Sequence, residues 1–316
     1  METALTKLLG IRYPILQGGM AWTSDAELSA AVTNGGGAGI IAAGGRTSEW
    51  LAEEIRKAKT LTTGPIGVNI PMLYPNKQEL LEVVWRELPA FVTLSAGKPD
   101  PEAIAACHAA GILVICVTAT AKAALSAQRM GADAVVIEGA ESGGHIGELS
   151  TLTLMTEVIP QMSVPVIAAG GFADGRGLAA ALVMGAAGIQ VGTAFMVAEE
   201  CTIHPQAKAR ILEAGSGDVV VTGSVRKRTG AVRGIRSDFS AAYHKLEDAG
   251  GSREQLEELA TGTNRLALID GDVQKGFVMA GQDIAGLKEI RPAKVILDEM
   301  MAQAREALAA GAGLLK

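Results

Sequence analysis

His145 lies in "ESGGHIGEL" (141–149) and is the one histidine of the chain with glycines on both sides. An imidazole titrates near neutral pH, so it can donate or hold a proton, and glycine neighbours let backbone and ligand approach closely. Two further glycine pairs, Gly170-Gly171 in "PVIAAGGFADGRGL" and Gly192 with Thr193 in "GIQVGTAF", end apolar runs and open helical ones. Bare loops of this kind present backbone N–H groups to a phosphate. Turning the chain is the simpler use of any one such pair. No GxGxxG follows a strand, which argues against a Rossmann-bound dinucleotide and in favour of a phosphorylated mononucleotide. The other histidines are weaker candidates: His108 falls in a helical pattern, His204 precedes Pro205, and His244 sits in "AAYHKLEDAG", read as an exposed helix. None has the spacing of a metal set. Cys107, Cys116 and Cys201 show no CxxC spacing and read as reduced, buried thiols.

Eight short apolar runs must position these groups: "YPILQGG", "GIIAAGG", "IGVNIPML", "FVTLSAG", "ILVICVT", "AVVIEGA", "PVIAAGG" and "GIQVGTAF". Amphipathic segments such as "SEWLAEEIRKAKTL" alternate with them, the signature of βα units. Eight strands buried on both faces predict a (β/α)8 TIM barrel, with chemistry at the C-terminal strand ends and phosphate at the loops after strands seven and eight. We expect the barrel that would bind this mononucleotide over residues 1–200. The last barrel helix plus a smaller, mostly helical lid or substrate subdomain is expected over 201–316. With 316 residues, 48% of them hydrophobic and 20% charged, the chain can bury a large core. A net charge of -6 offers no global footprint for nucleic acid or an anionic membrane. No apolar run nears the ~18 residues that span a bilayer, and a cytoplasmic location is expected.

"GAESGGHIGELSTLTLMTEV", "PVIAAGGFADGRGLAAALVMGAAGIQVGTAF", "GFVMAGQ", "PILQGGM" and "GVNIPMLYP" together resemble the FMN-dependent enoyl-acyl-carrier-protein reductase II family. That family stands within the nitronate monooxygenase (2-nitropropane dioxygenase-like) superfamily, which also holds an NADH:quinone reductase. The resemblance implies FMN, with NADH or NADPH as co-substrate. It assigns Gly18, Gly19, Met20 and Asn69 to the isoalloxazine ring, and Gly143 and Gly144 to the flavin edge. Gly170, Gly171, Gln190, Gly192 and Thr193 would surround ribityl and phosphate. Gly281 and Gln282 would close over the cofactor, and Thr118 joins the set by its place at the end of strand five. Gln17 is left out as a residue that satisfies buried backbone.

The same resemblance implies reduction of trans-2-enoyl thioesters in fatty acid synthesis, with His145 as the catalytic group that meets charge developing on the thioester oxygen. Nitronate oxidation or quinone reduction on the same FMN barrel is the alternative, and a non-catalytic barrel for a phosphorylated metabolite is a third. A monovalent cation and a homodimer are compatible with the family. Arg226, Lys227, Arg228, Arg233 and Arg236 bring five cations into "SVRKRTGAVRGIRSD". Such a run is a solvated face or, for this family, a docking patch for an acidic acyl carrier protein.

Overall fold

The computed structural model describes residues 1–98, 100–223 and 230–314. Its strands are β1 (Ile15–Gln17), β2 (Gly39–Ala42), β3 (Ile66–Pro71), β4 (Phe91–Ser95), β5 (Leu113–Thr118), β6 (Ala134–Glu138), β7 (Gly144–His145), β8 (Val166–Ala169), β9 (Gly188–Val191), β10 (Val219–Thr222) and β11 (Val232–Ile235). The helices are α1 (Ala4–Leu9), α2 (Ala26–Gly35), α3 (Ser48–Leu61), α4 (Lys77–Glu87), α5 (Pro101–Ala109), α6 (Ala121–Arg129), α7 (Thr151–Val158), α8 (Gly175–Val183), α9 (Thr193–Met196), α10 (Pro205–Glu213), α11 (Asp238–Asp248), α12 (Arg253–Ala260), α13 (Thr263–Leu268) and α14 (Ala293–Gly313).

All eight apolar runs of the sequence become strands of one parallel sheet, in the order β1-β9-β8-β6-β5-β4-β3-β2. A parallel bridge between Leu16 and Ala38 closes the cylinder. There the Gln17 N–H donates to the Ala38 carbonyl at 2.9 Å, and the Ala38 N–H donates to the Ile15 carbonyl at 3.0 Å. The result is a (β/α)8 barrel. Its interior is a packed cluster of Leu16, Ile40, Phe91, Ile115, Val136 and Ile167, stoppered at the N-terminal end by Leu5, Leu9 and Ile11 from α1 and its exit. The Phe91 ring fills the space that glycine leaves on β3, since a Cβ on Gly67 would come within 2.3 Å of it.

The helices form where the sequence supplies both a cap and an apolar stripe. In α3 the Thr47 hydroxyl accepts from the Trp50 N–H at 3.2 Å, and Leu51, Ala52, Ile55 and Ala58 make the buried face. Helix α5 stops before Gly111, whose φ of +75° is the left-handed stop expected there.

The last barrel helix is α14, at the far end of the chain, where it packs between α8 and α2. Residues 197–292 therefore enter between the eighth strand and its helix. The described elements of this insertion are mainly helical, α10 to α13, as expected of the lid, and it adds β10 and β11, which form a three-stranded antiparallel sheet with β7 of the histidine loop. The runs that form β10 and β11 are short, and β7 is two residues, so their pairing exists only across the fold. A second small core of Phe239, Tyr243, Leu256 and Phe277 holds this region together, with Phe239 and Phe277 centroids 5.1 Å apart. Among the described residues no helix is long and apolar enough to cross a membrane.

Candidate active site

Side chains alternate along each barrel strand, so the residue sharing a face with an interior side chain also faces inward. Gly67 abuts the interior Phe91, which places Asn69 on the inner face. Ala134 and Val136 belong to the interior cluster, which places Glu138 there too. Gly188 lies against Leu5 of the stopper, and Gln190 shares its side. The C-terminal layer of the barrel is thus polar. Within it the Asn69 amide donates to the Thr93 hydroxyl at 3.0 Å and to the Ser95 hydroxyl at 2.9 Å.

Thr118 is different. Ile115 faces the interior, so Thr118, three positions on, faces the helices, and its hydroxyl donates to the Val136 carbonyl at 3.3 Å. That position makes it part of the sheet rather than of the polar layer. Gln17 likewise faces outward, with its amide donating to the Ser24 hydroxyl at 2.8 Å and to the Ile40 carbonyl at 3.0 Å. It fastens the 18–24 loop.

The loop after β6 carries His145 across the mouth. Gly144 and His145 pair with Arg233 and Val232 of β11, which fixes the imidazole to the insertion's sheet. Its ring reaches solvent, yet surrounding protein lowers its pKa below the usual 6.5 by desolvation. The base of the loop is tied down by Glu141, whose carboxylate accepts from the Thr151 N–H at 2.9 Å and the Thr151 hydroxyl at 3.0 Å. Gly143 is required by packing, since a Cβ there would stand 2.6 Å from the Ala280 carbonyl carbon. The "GFVMAGQ" segment thereby crosses over the loop. The Gly281 N–H donates to the Thr193 hydroxyl at 3.0 Å, and the Gln282 N–H donates to the Glu141 carbonyl at 2.9 Å.

The loops after β8 and β9 lie side by side because the two strands pair, Ala169 with Gln190. Gly170 and Gly171 take φ of +100° and +82°, a turn that only glycine makes without strain. Gly18 and Gly192 are glycine for another reason. Neither has a left-handed φ, and a Cβ at Gly18 would find its neighbours at 3.6–3.8 Å, one at Gly192 the Met20 Sδ at 3.5 Å. A Cβ there would make only ordinary van der Waals contact, so protein packing does not demand glycine. Gly19, by contrast, is closed off by Asn69 Cβ at 2.4 Å.

The remaining histidines serve structure. His108 contacts the Asp133 carboxylate at 2.9 Å, and His204 Nδ1 accepts from the Gln206 N–H at 3.2 Å. His244 corrects the expectation of an exposed helix position: it is half-buried, with Nε2 2.9 Å from the Val221 carbonyl, joining α11 to β10. The three cysteines are free and buried, and burial raises the Cys116 thiol to about 12. Among the described residues no group of histidine, cysteine and acidic side chains is arranged to hold a metal ion.

Of the basic run, Arg226, Lys227 and Arg228 lie outside the described residues. Arg236 is exposed. Arg233 is buried, not part of a solvated stripe, and its guanidinium lies 3.4 Å from the Ser142 carbonyl beneath the histidine loop. Its place on β11 explains this: residues that alternate on a strand cannot all face solvent.

Sequence reasoning missed Glu138. It ends β6, accepts a hydrogen bond from the Ser142 hydroxyl at 3.0 Å, and is pushed up to about 7 by desolvation. It also missed Asp283, buried beside Thr193 and raised by the same cause. The available signal for Glu138 was its period-2 spacing from Ala134 and Val136.

Comparisons with known proteins agree with this geometry. The chain is similar to FabK from Thermotoga maritima, at a TM-score of 0.95 and 39% identity over 99% of both chains. It is similar to nitroalkane oxidase from Streptomyces ansochromogenes, at 0.87 and 27% over 98% of this chain and 99% of that one. It is 33% identical to the (3aS,4S,5R,7aS)-5-hydroxy-7a-methyl-1-oxo-octahydro-1H-indene-4-carboxyl-CoA dehydrogenase of Rhodococcus jostii, with 96% of each chain covered. The model of the nitronate monooxygenase family matches residues 2–88 and 76–303. With a barrel of this topology, a histidine loop crossing its mouth and the family model spanning nearly the whole chain, the protein belongs to the nitronate monooxygenase family of oxidoreductases.

Proposed function

We propose that this protein is an FMN-dependent reductase of trans-2-enoyl thioesters, drawing its electrons from NADH or NADPH. The observation that carries the reading is His145, held at the C-terminal mouth of the barrel by β7–β11 pairing, in a motif that resembles that of the enoyl reductases. The greater identity to FabK, 39% against 27% for nitroalkane oxidase, supports reduction over oxidation. Similarity to a dehydrogenase named for a CoA thioester supports the substrate class.

The site fits FMN. Gly18 and Gly192 are required neither by backbone conformation nor by protein packing, and leave the mouth free of side chains where a cofactor would lie. The paired loops after β8 and β9, with Gly170, Gly171, Gln190 and Thr193, would hold ribityl and phosphate. Asn69, Gly19 and Met20 would meet the ring, with Gly143 and Gly144 at its edge and Gly281 and Gln282 over it. Bound there, the flavin supplies the hydride chemistry.

The chain's own contribution is at His145. With its pKa lowered, the imidazole is neutral at pH 7 and presents one N–H donor. As hydride reaches the substrate β-carbon, negative charge gathers on the thioester oxygen, and a fixed N–H aimed there stabilises it selectively. The residue reaches solvent, so water at the mouth would supply the proton of the α-carbon while the imidazole stays neutral. Docking of an acidic acyl carrier protein is proposed at Arg236 and the adjoining Arg226, Lys227 and Arg228, with Arg233 removed from the patch.

Nitronate oxidation is the second reading, favoured by the family model and by similarity to the probable nitronate monooxygenase of Staphylococcus haemolyticus, 30% identical over 88% of this chain. One pair of assays separates them. Anaerobic NAD(P)H oxidation that depends on crotonyl thioester supports the reductase. Oxygen-dependent consumption of a nitronate, without enoyl-dependent NAD(P)H oxidation, overturns it. Gly192→Asp tests the cofactor seat: the fold has room for the Cβ, so the variant should fold and purify without flavin.

A further inference from the structure

At the rim formed by the loops after β1 and β2, Trp22 holds a φ of +66°, a conformation that bulky residues avoid. What it gains there is a stack. The Arg46 guanidinium lies 4.1 Å from the Trp22 ring and 4.3 Å from the Trp50 ring, while Arg265 of α13 approaches Trp22 at 5.8 Å. A Cβ on Gly45, whose φ is +76°, would stand 3.0 Å from the indole, and the Asn264 amide donates to the Ala21 carbonyl at 3.3 Å, joining the insertion to this rim.

The two guanidiniums differ in their partners. Arg265 has a carboxylate partner in Asp270 at 3.0 Å. Arg46 Nε is buried and lacks a hydrogen-bond partner, and among the described residues Arg46 forms no ion pair. Glu54 and Asp25 attract Arg46 without touching it, Asp25 capping α2 and Glu54 accepting from the Ala26 N–H, while Arg265 repels it. Two like charges share one indole, and the half-buried Arg46 guanidinium makes no side-chain hydrogen bond or ion pair among the described residues, so its terminal N–H groups are free for an anion. With its faces against indoles, the Arg46 guanidinium offers its in-plane N–H edge, the geometry that binds phosphate.

We propose that Trp22, Arg46, Trp50 and Arg265 form an anion subsite at the barrel rim for the diphosphate of an ADP-containing ligand. The subsite rests on the reductase reading only for its source. Both a CoA thioester and a nicotinamide dinucleotide carry that diphosphate into a mouth lined by the loops after β1 and β2.

Calorimetric titration of ADP into the FMN-loaded protein tests the subsite without turnover. Saturable binding that adenosine does not reproduce, and that Arg46→Gln weakens at least ~10-fold, is expected from loss of a charge-assisted pair. Arg265→Gln, at an exposed position, should weaken it less and serves should Arg46→Gln fail to fold. Absence of ADP binding in the wild type, or unchanged binding in folded Arg46→Gln, overturns the proposal even if enoyl reduction is found. The source follows from KM values in Arg46→Gln. A rise for crotonyl-CoA but not crotonyl-pantetheine assigns the subsite to the substrate, and a rise for NADH or NADPH assigns it to the dinucleotide. Lack of any enoyl-dependent activity would overturn the reductase and leave the ADP result standing.

Discussion

At the scale of single residues, His145 and Glu138 face the same mouth with opposite displacements of pKa, and burial is the first cause of both. Desolvation disfavours whichever form is charged, so it lowers an imidazole and raises a carboxyl. His145→Ala should leave flavin reduction by NAD(P)H intact and slow reoxidation by enoyl thioester at least ~10²-fold, as loss of a hydrogen-bond donor to a developing oxyanion does. Stopped-flow measurement of the two half-reactions checks this, and slow reduction with normal reoxidation would move His145 to nicotinamide binding. Glu138 makes a prediction about stability. Its folded value of about 7 lies above the ordinary 4.5, so between those pH values the folded protein holds a proton that the unfolded chain has released. The contribution is complete below 4.5 and is lost as pH rises through 7. Urea midpoints of wild type relative to Glu138→Gln should therefore fall between pH 5 and pH 8. A constant difference would mean that the carboxyl is not desolvated.

At the scale of elements, the barrel depends on one long-range contact that no local pattern announces. Gly175 begins α8 where α14 crosses it, and a Cβ there would stand 1.9 Å from the Met300 carbonyl oxygen and 2.6 Å from the Ala304 nitrogen. Both are backbone atoms and cannot swing aside. Gly175→Ala should force the helices apart and destabilise the protein by about 3 kcal/mol, the upper range for overpacking. Gly311→Ala, near the end of α14 with nothing within 4 Å of the new Cβ, should be neutral or slightly stabilising through helix propensity. Thermal melts of the two variants check the contrast. Eight strands were legible from apolar runs bounded by glycine, and α5 from its Gly111 stop, because those signals are local. The β7–β11 pairing was not, since two residues carry no periodicity and their partner lies almost ninety positions away.

At the scale of the whole molecule, an overall charge of -6 sets the terms on which an acidic carrier can approach. If docking uses the basic run, replacing Arg226, Lys227 and Arg228 with glutamine should raise KM for carrier-linked enoyl substrate several-fold and flatten its salt dependence. KM for crotonyl-pantetheine, which has no carrier to dock, should stay unchanged. Steady-state kinetics at two ionic strengths checks the difference. An equal effect on both substrates would place the defect in the pocket instead.

What the sequence determined by itself was whatever rests on local chemistry: the barrel from its repeated βα punctuation, the loops after its seventh and eighth strands from Gly170-Gly171 and Gly192-Thr193, and the place of the histidine loop from its glycine flanks. Tertiary structure alone decided which way each side chain faces. Thr118 turns outward and Glu138 inward because strand alternation is read from a register, and the register from neighbouring strands. Arg233 is buried although its sequence neighbours made it look solvated, because β11 pairs with the histidine loop. The ends of the chain meet for the same reason: α14 packs against α2 because a closed barrel must cover its seam, and closure is a property of all eight strands together.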